Sequence, residues 1–235
     1  MYLDSFHHAN GQYISIAPEQ ASRFAKEMAG DFNPIHDPDS RRFCVPGDLL
    51  FALILARHGL SPAMEFVFKG MVGRDTMLDF TPTGADAFAL CNDQGKVFVS
   101  IRRSGPVSHD AALIENLTRH YVAFSGLNFP HTIQPLLADQ NVMLNPARPT
   151  VIYERMRFEL QQPDFQTPQL QPAQAELKVD GKRGEVSLNF IITADGKVVG
   201  KGYKRLLVSG LIPYDPVVAD ALVADYEALK RRYRT

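Results

Sequence analysis

One uninterrupted apolar run, residues 49–56, constrains the fold of this chain more than any other feature. Pro46 and Gly47 introduce the run, and Gly59 and Pro62 close it. The run is apolar on every side, so as a helix it must be buried rather than amphipathic. Four strand-like runs rich in Val, Phe and Ile follow, separated by turn residues, at residues 64–69, 76–80, 86–92 and 96–102. One buried helix followed by several antiparallel strands predicts a sheet wrapped around that helix.

The second half of the chain repeats this order of elements. A helix predicted over residues 111–124 precedes a second, shorter central helix over 132–138. Four more strands are predicted at residues 151–160, 173–179, 185–192 and 198–208. The matched order indicates two copies of one domain. We therefore expect a first repeat in residues 1–105, a second in 106–212 and an amphipathic C-terminal helix in 213–235.

Composition and charge narrow the class of protein. The 235 residues are 45% apolar and 22% charged, which is typical of a soluble globular chain. A formal net charge of −1 gives no global field that favours nucleic acid or an acidic membrane. Cys44 and Cys91 are isolated, and the N-terminus lacks the regions of a secretory signal. We expect a cytoplasmic protein without nucleic-acid or membrane partners. The basic end, residues 230–234, leaves such contacts open, but a solvated helix end explains it more simply.

A chemically rich bend follows the first predicted helix, residues 18–29. Asp31, Asn33, Pro34 and His36 lie within six residues. Pro34 excludes Asn33 from the α region and ends the helix, so the chain bends and can return His36 towards Asp31. A carboxylate and an imidazole that face one pocket can act as a general base and its partner. The alternative is an ordinary turn, because Gly, Asp and Asn are also turn residues.

A related segment lies in the second half, at residues 125–131. It keeps a small residue, Gly, Asn, Pro and His in the same order, but Leu127 holds the position of Asp31. The change removes the only candidate base. The first repeat is therefore the candidate catalytic copy, and the second is expected to be structural.

These residues resemble a known family. Residues 24–36 resemble the hydratase motif of the MaoC-like (R)-specific enoyl-CoA hydratases, which have the hotdog fold. Residues 45–50 are similar to the start of that family's central helix, and residues 68–77 and 92–97 to its later strand–turn segments. The second half is similar only in its order of elements and in residues 126–131. The resemblance implies an α+β double hotdog, with two repeats that each wrap an antiparallel sheet around a central helix.

The resemblance also implies roles for individual residues. Asp31 and His36 match the catalytic acid–base pair, and the backbone N–H of Gly47 would hold the thioester carbonyl oxygen. The expected substrate-binding positions are Asn33, Asp48, Leu49, Phe51 and Arg74. The substrate would be a thioester of coenzyme A or of acyl carrier protein, and no cofactor or metal is expected. The candidate cations for the carrier's phosphates are Arg41, Arg42, Lys69, Arg74, Arg102 and Arg103. Either a monomeric double hotdog or a homodimer is expected.

The sequence departs from the family at the start of the central helix. Pro46 replaces the usual histidine, Leu55 stands where a serine often lines the site, and Asp48 adds a carboxylate that would repel an enolate if it pointed inward. Three functions are therefore weighed. The first is a hydratase or dehydratase that uses Asp31 and His36. The second is a non-catalytic acyl-binding protein on the same scaffold, and the third is a thioesterase that uses a carboxylate-activated water.

Overall fold

The computed structural model describes residues 2–81, 84–161 and 165–234, and the remaining residues of the predicted ranges lie outside the described part. The strands, in chain order, are β1 His8–Asn10, β2 Tyr13–Ser15, β3 Ala63–Phe68, β4 Leu78–Asp79, β5 Ala87–Asn92, β6 Val97–Ser104, β7 Val142–Met143, β8 Thr150–Leu160, β9 Gln169–Asp180, β10 Arg183–Ala194, β11 Lys197–Ser209 and β12 Ile212–Pro213. All except β7 and β12, which pair with each other, form one antiparallel sheet.

The helices are α1 Pro18–Phe24, α2 Gly47–His58, α3 Ala111–Gly126, α4 Asn128–His131, α5 Ile133–Asp139 and α6 Pro216–Arg234. In the described part of the chain, no helix is both long and apolar enough to cross a membrane. Helix α2 is buried on every side, and its residues 48–55 are all inaccessible to solvent or nearly so. The prediction of a buried central helix is confirmed.

The order of strands in the sheet identifies the fold. The order is β1-β2-β4-β5-β6-β3-β8-β11-β10-β9. We number the five strands β2 to β6 from first to fifth along the chain. Across the sheet they then lie in the order first, third, fourth, fifth, second. In the other repeat, β8 to β11 correspond to the second to fifth strands. They lie in the order second, fifth, fourth, third, which mirrors the first repeat. Two copies of one topology, with α2 buried against the first, form the α+β double hotdog that the sequence predicted.

Strands β3 and β8 join the two repeats into one sheet. They pair antiparallel from Ala63 opposite Glu159 to Val67 opposite Arg155. The main core crosses this junction, because Phe51 of α2 contacts both Phe66 of β3 and Phe158 of β8, with ring centroids 5.1 and 6.5 Å apart. The second repeat covers its strands differently. The predicted second central helix is the two-turn α5, which packs in a smaller core, while the longer α3 packs alongside α2.

Candidate active site

The loop after α1 has the bend that the sequence predicts. The helix continues beyond Phe24 as a single π-helical turn, Ala25–Ala29, and Gly30 ends it with a φ of 65°. That left-handed conformation suits glycine, which has no Cβ to clash with the following carbonyl. Asn33 is extended, with a ψ of 122°, and Pro34–His36 forms a 3₁₀ turn. The backbone thus reverses within six residues and returns His36 to Asp31.

Asp31 and His36 face each other. Their Oδ2 and Nε2 atoms are 3.6 Å apart. The other carboxylate oxygen, Oδ1, accepts a hydrogen bond from the Asn33 N–H at 2.9 Å, which fixes the carboxylate. The Nδ1 of His36 lies 2.6 Å from the Cys44 carbonyl oxygen. A carbonyl only accepts, so Nδ1 carries a proton, and in the neutral form of the ring the Nε2 lone pair faces Asp31.

A distance of 3.6 Å is too long for a direct hydrogen bond between these two atoms. Both atoms are acceptors while the imidazole is neutral, so they can share one donor such as a water molecule. The side chain of His36 is 12% exposed and that of Asp31 is 32% exposed, so solvent reaches the pair from the Asp31 side. Burial raises the pKa of the neighbouring Cys44 to about 11, so this residue remains a neutral thiol beside the pair.

The pair lines a large, mostly apolar cavity between the two repeats, with a volume of about 670 Å³. The Asp31 loop and the start of α2 form one wall, β8 and β11 form another, and α6 covers a third. Side chains from both repeats contribute, among them Val45, Leu50, Phe68, Ile133, Leu144, Val151, Leu206 and Leu222. A volume of this size falls within the range of roughly 300–1,000 Å³ that is usual for small-molecule sites.

The amino end of α2 opens onto this cavity. Leu49 and Leu50 donate the first intrahelical hydrogen bonds, to the Pro46 carbonyl at 3.1 and 3.3 Å. The N–H of Gly47 precedes these bonds and is one of the first-turn donors that a helix leaves unpaired. Gly47 itself is sterically required, because a Cβ there would lie 2.9 Å from the Tyr153 ring and 3.2 Å from the Phe68 ring. The glycine allows the backbone to lie against these aromatic rings.

Three of the predicted substrate-binding residues lie away from the cavity. Leu49 and Phe51 are 0% and 1% exposed within the core, because they project about 100° to either side of Leu50, which lines the cavity instead. The Arg74 guanidinium donates to the carbonyls of Pro38 and Ser40 and lies over the Phe43 ring. Arg74 therefore ties two loops together. Asn33 and Asp48 do line the cavity, and Asn33 also stabilises the bend by accepting from the Ile35 N–H at 3.2 Å.

Sequence reasoning missed a group of polar residues at the cavity wall. Lys204 of β11 and Ser125 of α3 are both buried there, with 6% and 4% exposed, and Tyr153 of β8 lies beside them. The signal for Lys204 was present, since Leu206 and Val208 share its inward-facing side of the strand. A lysine on the apolar face of an alternating strand is unusual.

Sequence reasoning also missed the contribution of α6. The hydroxyl of Tyr226 accepts from the Phe32 N–H at 3.2 Å and donates to the Gly30 carbonyl at 3.3 Å. These two groups flank Asp31, so Tyr226 holds both sides of the candidate base. Burial raises the pKa of this phenol, which remains a neutral donor. The sequence predicted only an amphipathic C-terminal helix and did not assign Tyr226 to the site.

Comparison with known proteins gives one family match. A family model described as "Protein of unknown function (DUF3581)" matches residues 1–217. No curated protein matches the sequence.

Several solved structures are similar. An acyl-CoA thioesterase II, TesB2, from Mycobacterium marinum is 11% identical with a TM-score of 0.42, over 72% of this chain and 91% of that one. The full-length peroxisomal multifunctional enzyme type 2 from Drosophila melanogaster is 12% identical with a TM-score of 0.46, over 83% of this chain and 47% of that one. A conserved protein of unknown function with a hotdog fold from Alicyclobacillus acidocaldarius is 8% identical with a TM-score of 0.44, over 89% and 98%. The fold assignment rests on the strand order and on the buried helix α2.

Proposed function

This chain belongs to the DUF3581 family, and we propose that it is an acyl-thioester hydratase or dehydratase, which adds water to a trans-2-enoyl thioester or removes it. The observation that carries the proposal is the placement of Asp31 Oδ2 opposite His36 Nε2 at the wall of an apolar cavity. The resemblance of residues 24–36 to the hydratase motif supports the same chemistry. The Asp31 position is filled by Leu127 in the second repeat, so a single active site is proposed.

In the proposed reaction, one water molecule donates its two hydrogens to Asp31 Oδ2 and His36 Nε2. One of these groups removes a proton while the water oxygen bonds to C3 of the enoyl group. The electron pair of the C2–C3 double bond moves towards the carbonyl oxygen and forms an enolate. A proton returned to C2 completes the addition, and dehydration is the reverse. Acid–base assistance of this kind typically contributes about 10²–10⁴-fold.

The carbonyl oxygen would accept a hydrogen bond from the Gly47 N–H. The amino end of α2 favours the negative charge that develops there, because first-turn N–H groups and the helix dipole both stabilise an anion. The acyl chain would extend along apolar residues such as Leu50, Leu206 and Leu222. Lys69 is exposed at the cavity rim and is the proposed partner for a phosphate of the thiol carrier.

The test follows the absorbance of the enoyl-thioester band with crotonyl-CoA and a longer trans-2-enoyl-CoA. We expect turnover by the wild type and a loss of at least about a hundredfold in Asp31→Asn, which keeps the shape of the side chain but removes the base. Asp39→Asn is the matched control, since Asp39 is an exposed carboxylate of the same loop. The control variant is expected to keep wild-type turnover.

The other outcomes separate the alternatives. Wild-type turnover that survives Asp31→Asn would show that other residues perform the chemistry. Release of free thiol without hydration would identify a thioesterase, in which the activated water attacks the carbonyl carbon instead of C3. Saturable binding of acyl-CoA without either reaction would identify a non-catalytic acyl-binding protein.

A further inference from the structure

A buried lysine, serine and aspartate form a hydrogen-bonded series at the wall of the cavity. The Lys204 ammonium donates to the Ser125 hydroxyl oxygen, and the Ser125 hydroxyl hydrogen-bonds in turn with the Asp48 carboxylate. Lys204 is 6% exposed and Asp48 is 8% exposed. Asp48 Oδ1 has no hydrogen-bond partner among the described residues. An ammonium and a carboxylate are costly to bury, so a cavity that keeps both is expected to use them.

The ring of Tyr153 lies between the Lys204 ammonium and the amino end of α2. The Lys204 ammonium nitrogen lies 4.1 Å from the centroid of that ring. The same ring lies against Gly47, where an added Cβ would come within 2.9 Å of it. The ammonium and the backbone of Gly47 therefore share one aromatic neighbour. The Tyr153 hydroxyl is fixed by a hydrogen bond with the Tyr121 hydroxyl.

Burial and neighbouring charges shift the pKa values of Asp48 and Lys204 in opposite directions. Burial raises the pKa of Asp48, and the Lys204 ammonium and the hydrogen bond from Ser125 resist that rise. Burial lowers the pKa of Lys204, and the carboxylates of Asp48 and Asp31 resist that fall. On the Asp31 loop, Asp31 raises the pKa of Asp48 and His36 lowers it, and burial keeps the phenols of Tyr121 and Tyr153 neutral.

These charges bear directly on an anion held at Gly47. Asp48 follows Gly47 in the chain, so its carboxylate alone would oppose negative charge on an oxygen bound to the Gly47 N–H. The Lys204 ammonium supplies the opposite charge. At the wall of a mostly apolar cavity, such fixed charges act more strongly than they would in bulk water.

We propose that Lys204 and the Gly47 N–H together form an anion-binding subsite for the enolate oxygen of an acyl thioester, and that Asp48, through Ser125, holds the lysine in place. The inference rests on the proposed function, because the enolate is the intermediate of that reaction. It adds a residue from the second repeat to a site whose acid–base pair lies in the first.

The test uses acetoacetyl-CoA, a β-keto thioester that ionises to an enolate with its own near-ultraviolet absorbance. The apparent pKa of the bound compound is measured by titrating this absorbance at saturating protein. We expect the wild type to lower this pKa relative to free acetoacetyl-CoA, and Lys204→Met to hold at least about tenfold less enolate, equivalent to one pKa unit. Lys201→Met is the matched control, because Lys201 is an exposed lysine of the same strand.

A double variant distinguishes anion binding from structural compensation, and it guards against misfolding of Lys204→Met around an uncompensated Asp48. Asp48→Asn/Lys204→Met removes both charges. If Lys204 binds the enolate, the order of enolate content is wild type, then double variant, then Lys204→Met. A double variant equal to the wild type would reduce Lys204 to a structural counter-ion and overturn the inference, as would wild-type enolate content in Lys204→Met or no binding of acetoacetyl-CoA.

The two proposals fail separately. Acetoacetyl-CoA carries no enoyl double bond, so its ionisation reports anion binding without turnover. Lys204-dependent enolate binding without hydration of crotonyl-CoA would overturn the hydratase proposal for the reaction but leave the subsite. Hydration that depends on Asp31, together with enolate content that is independent of Lys204, would overturn only the subsite.

Discussion

At the scale of single residues, Gly126 has the tightest steric requirement near the candidate base. A Cβ at this position would lie 1.8 Å from the Ala29 carbonyl oxygen, which is backbone and cannot rotate away. We expect Gly126→Ala to displace the segment that carries Asp31. The free energy of unfolding should fall by at least about 1–3 kcal/mol, as for other overpacked sites, and crotonyl-CoA turnover should fall with it.

Urea denaturation followed by far-ultraviolet circular dichroism measures this change. Gly73→Ala is the matched control, because an added Cβ there meets nothing within 4 Å and the backbone is not left-handed. The control is expected to stay within about 0.5 kcal/mol of the wild type. Equal stability of the two variants would mean that α3 and the Asp31 loop separate easily.

The residue scale also shows what sequence can and cannot predict about the site. The proximity of Asp31 and His36 could be predicted because one turn brings them together, and Asn33 and Pro34 favour that turn. Lys204 could not be placed at the candidate site, because its contact with Ser125, and through Ser125 with Asp48, forms only after β11, α2 and α3 pack across the two repeats. Leu49 and Phe51 were expected to bind substrate from the family resemblance, and an all-apolar helix offers no periodicity from which to identify its cavity-facing side.

At the scale of elements, α6 is hydrogen-bonded to the Asp31 loop through Tyr226. We expect Tyr226→Phe to remove the hydrogen bonds to Gly30 and Phe32, so that the buried Phe32 N–H and the half-buried Gly30 carbonyl each lose this partner. The expected cost is about 1–3 kcal/mol in the free energy of unfolding. Turnover should fall in kcat more than it changes KM, because the loop that positions Asp31 loosens while the cavity stays apolar.

Tyr233→Phe is the control within the same helix. Its hydroxyl makes an exposed hydrogen bond to Glu27 at 3.3 Å, so the loss should be within about 0.5 kcal/mol. Wild-type kcat in Tyr226→Phe would show that α6 covers the cavity without positioning the base. The amphipathic stripe of α6 was readable from the sequence, but the stripe does not specify which surface it covers, so its contact with the Asp31 loop could not be predicted.

At the scale of the whole molecule, the sequence predicted two repeats but not how they depend on each other. The pairing of β3 with β8, which fuses the sheets, is a contact between distant segments with no local signal. The main core crosses this junction, and the candidate cavity takes its walls from both sides. A chain above about 150 residues often unfolds through intermediates. The shared core predicts instead that the two repeats of this protein unfold in one cooperative transition.

The substitution Phe158→Ala tests that prediction. Phe158 belongs to the second repeat, is 2% exposed and contacts Phe51 and Phe66 of the first. Removing its ring should cost about 3–5 kcal/mol. It should shift the far-ultraviolet signal and the near-ultraviolet signal of the tyrosines together, and the chain contains no tryptophan to complicate the latter. Val198→Ala, at a position that is 55% exposed on β11, should change neither signal. Two separate transitions, only one of them moved by Phe158→Ala, would mean that the repeats are independent units and that the cavity between them can open without unfolding either.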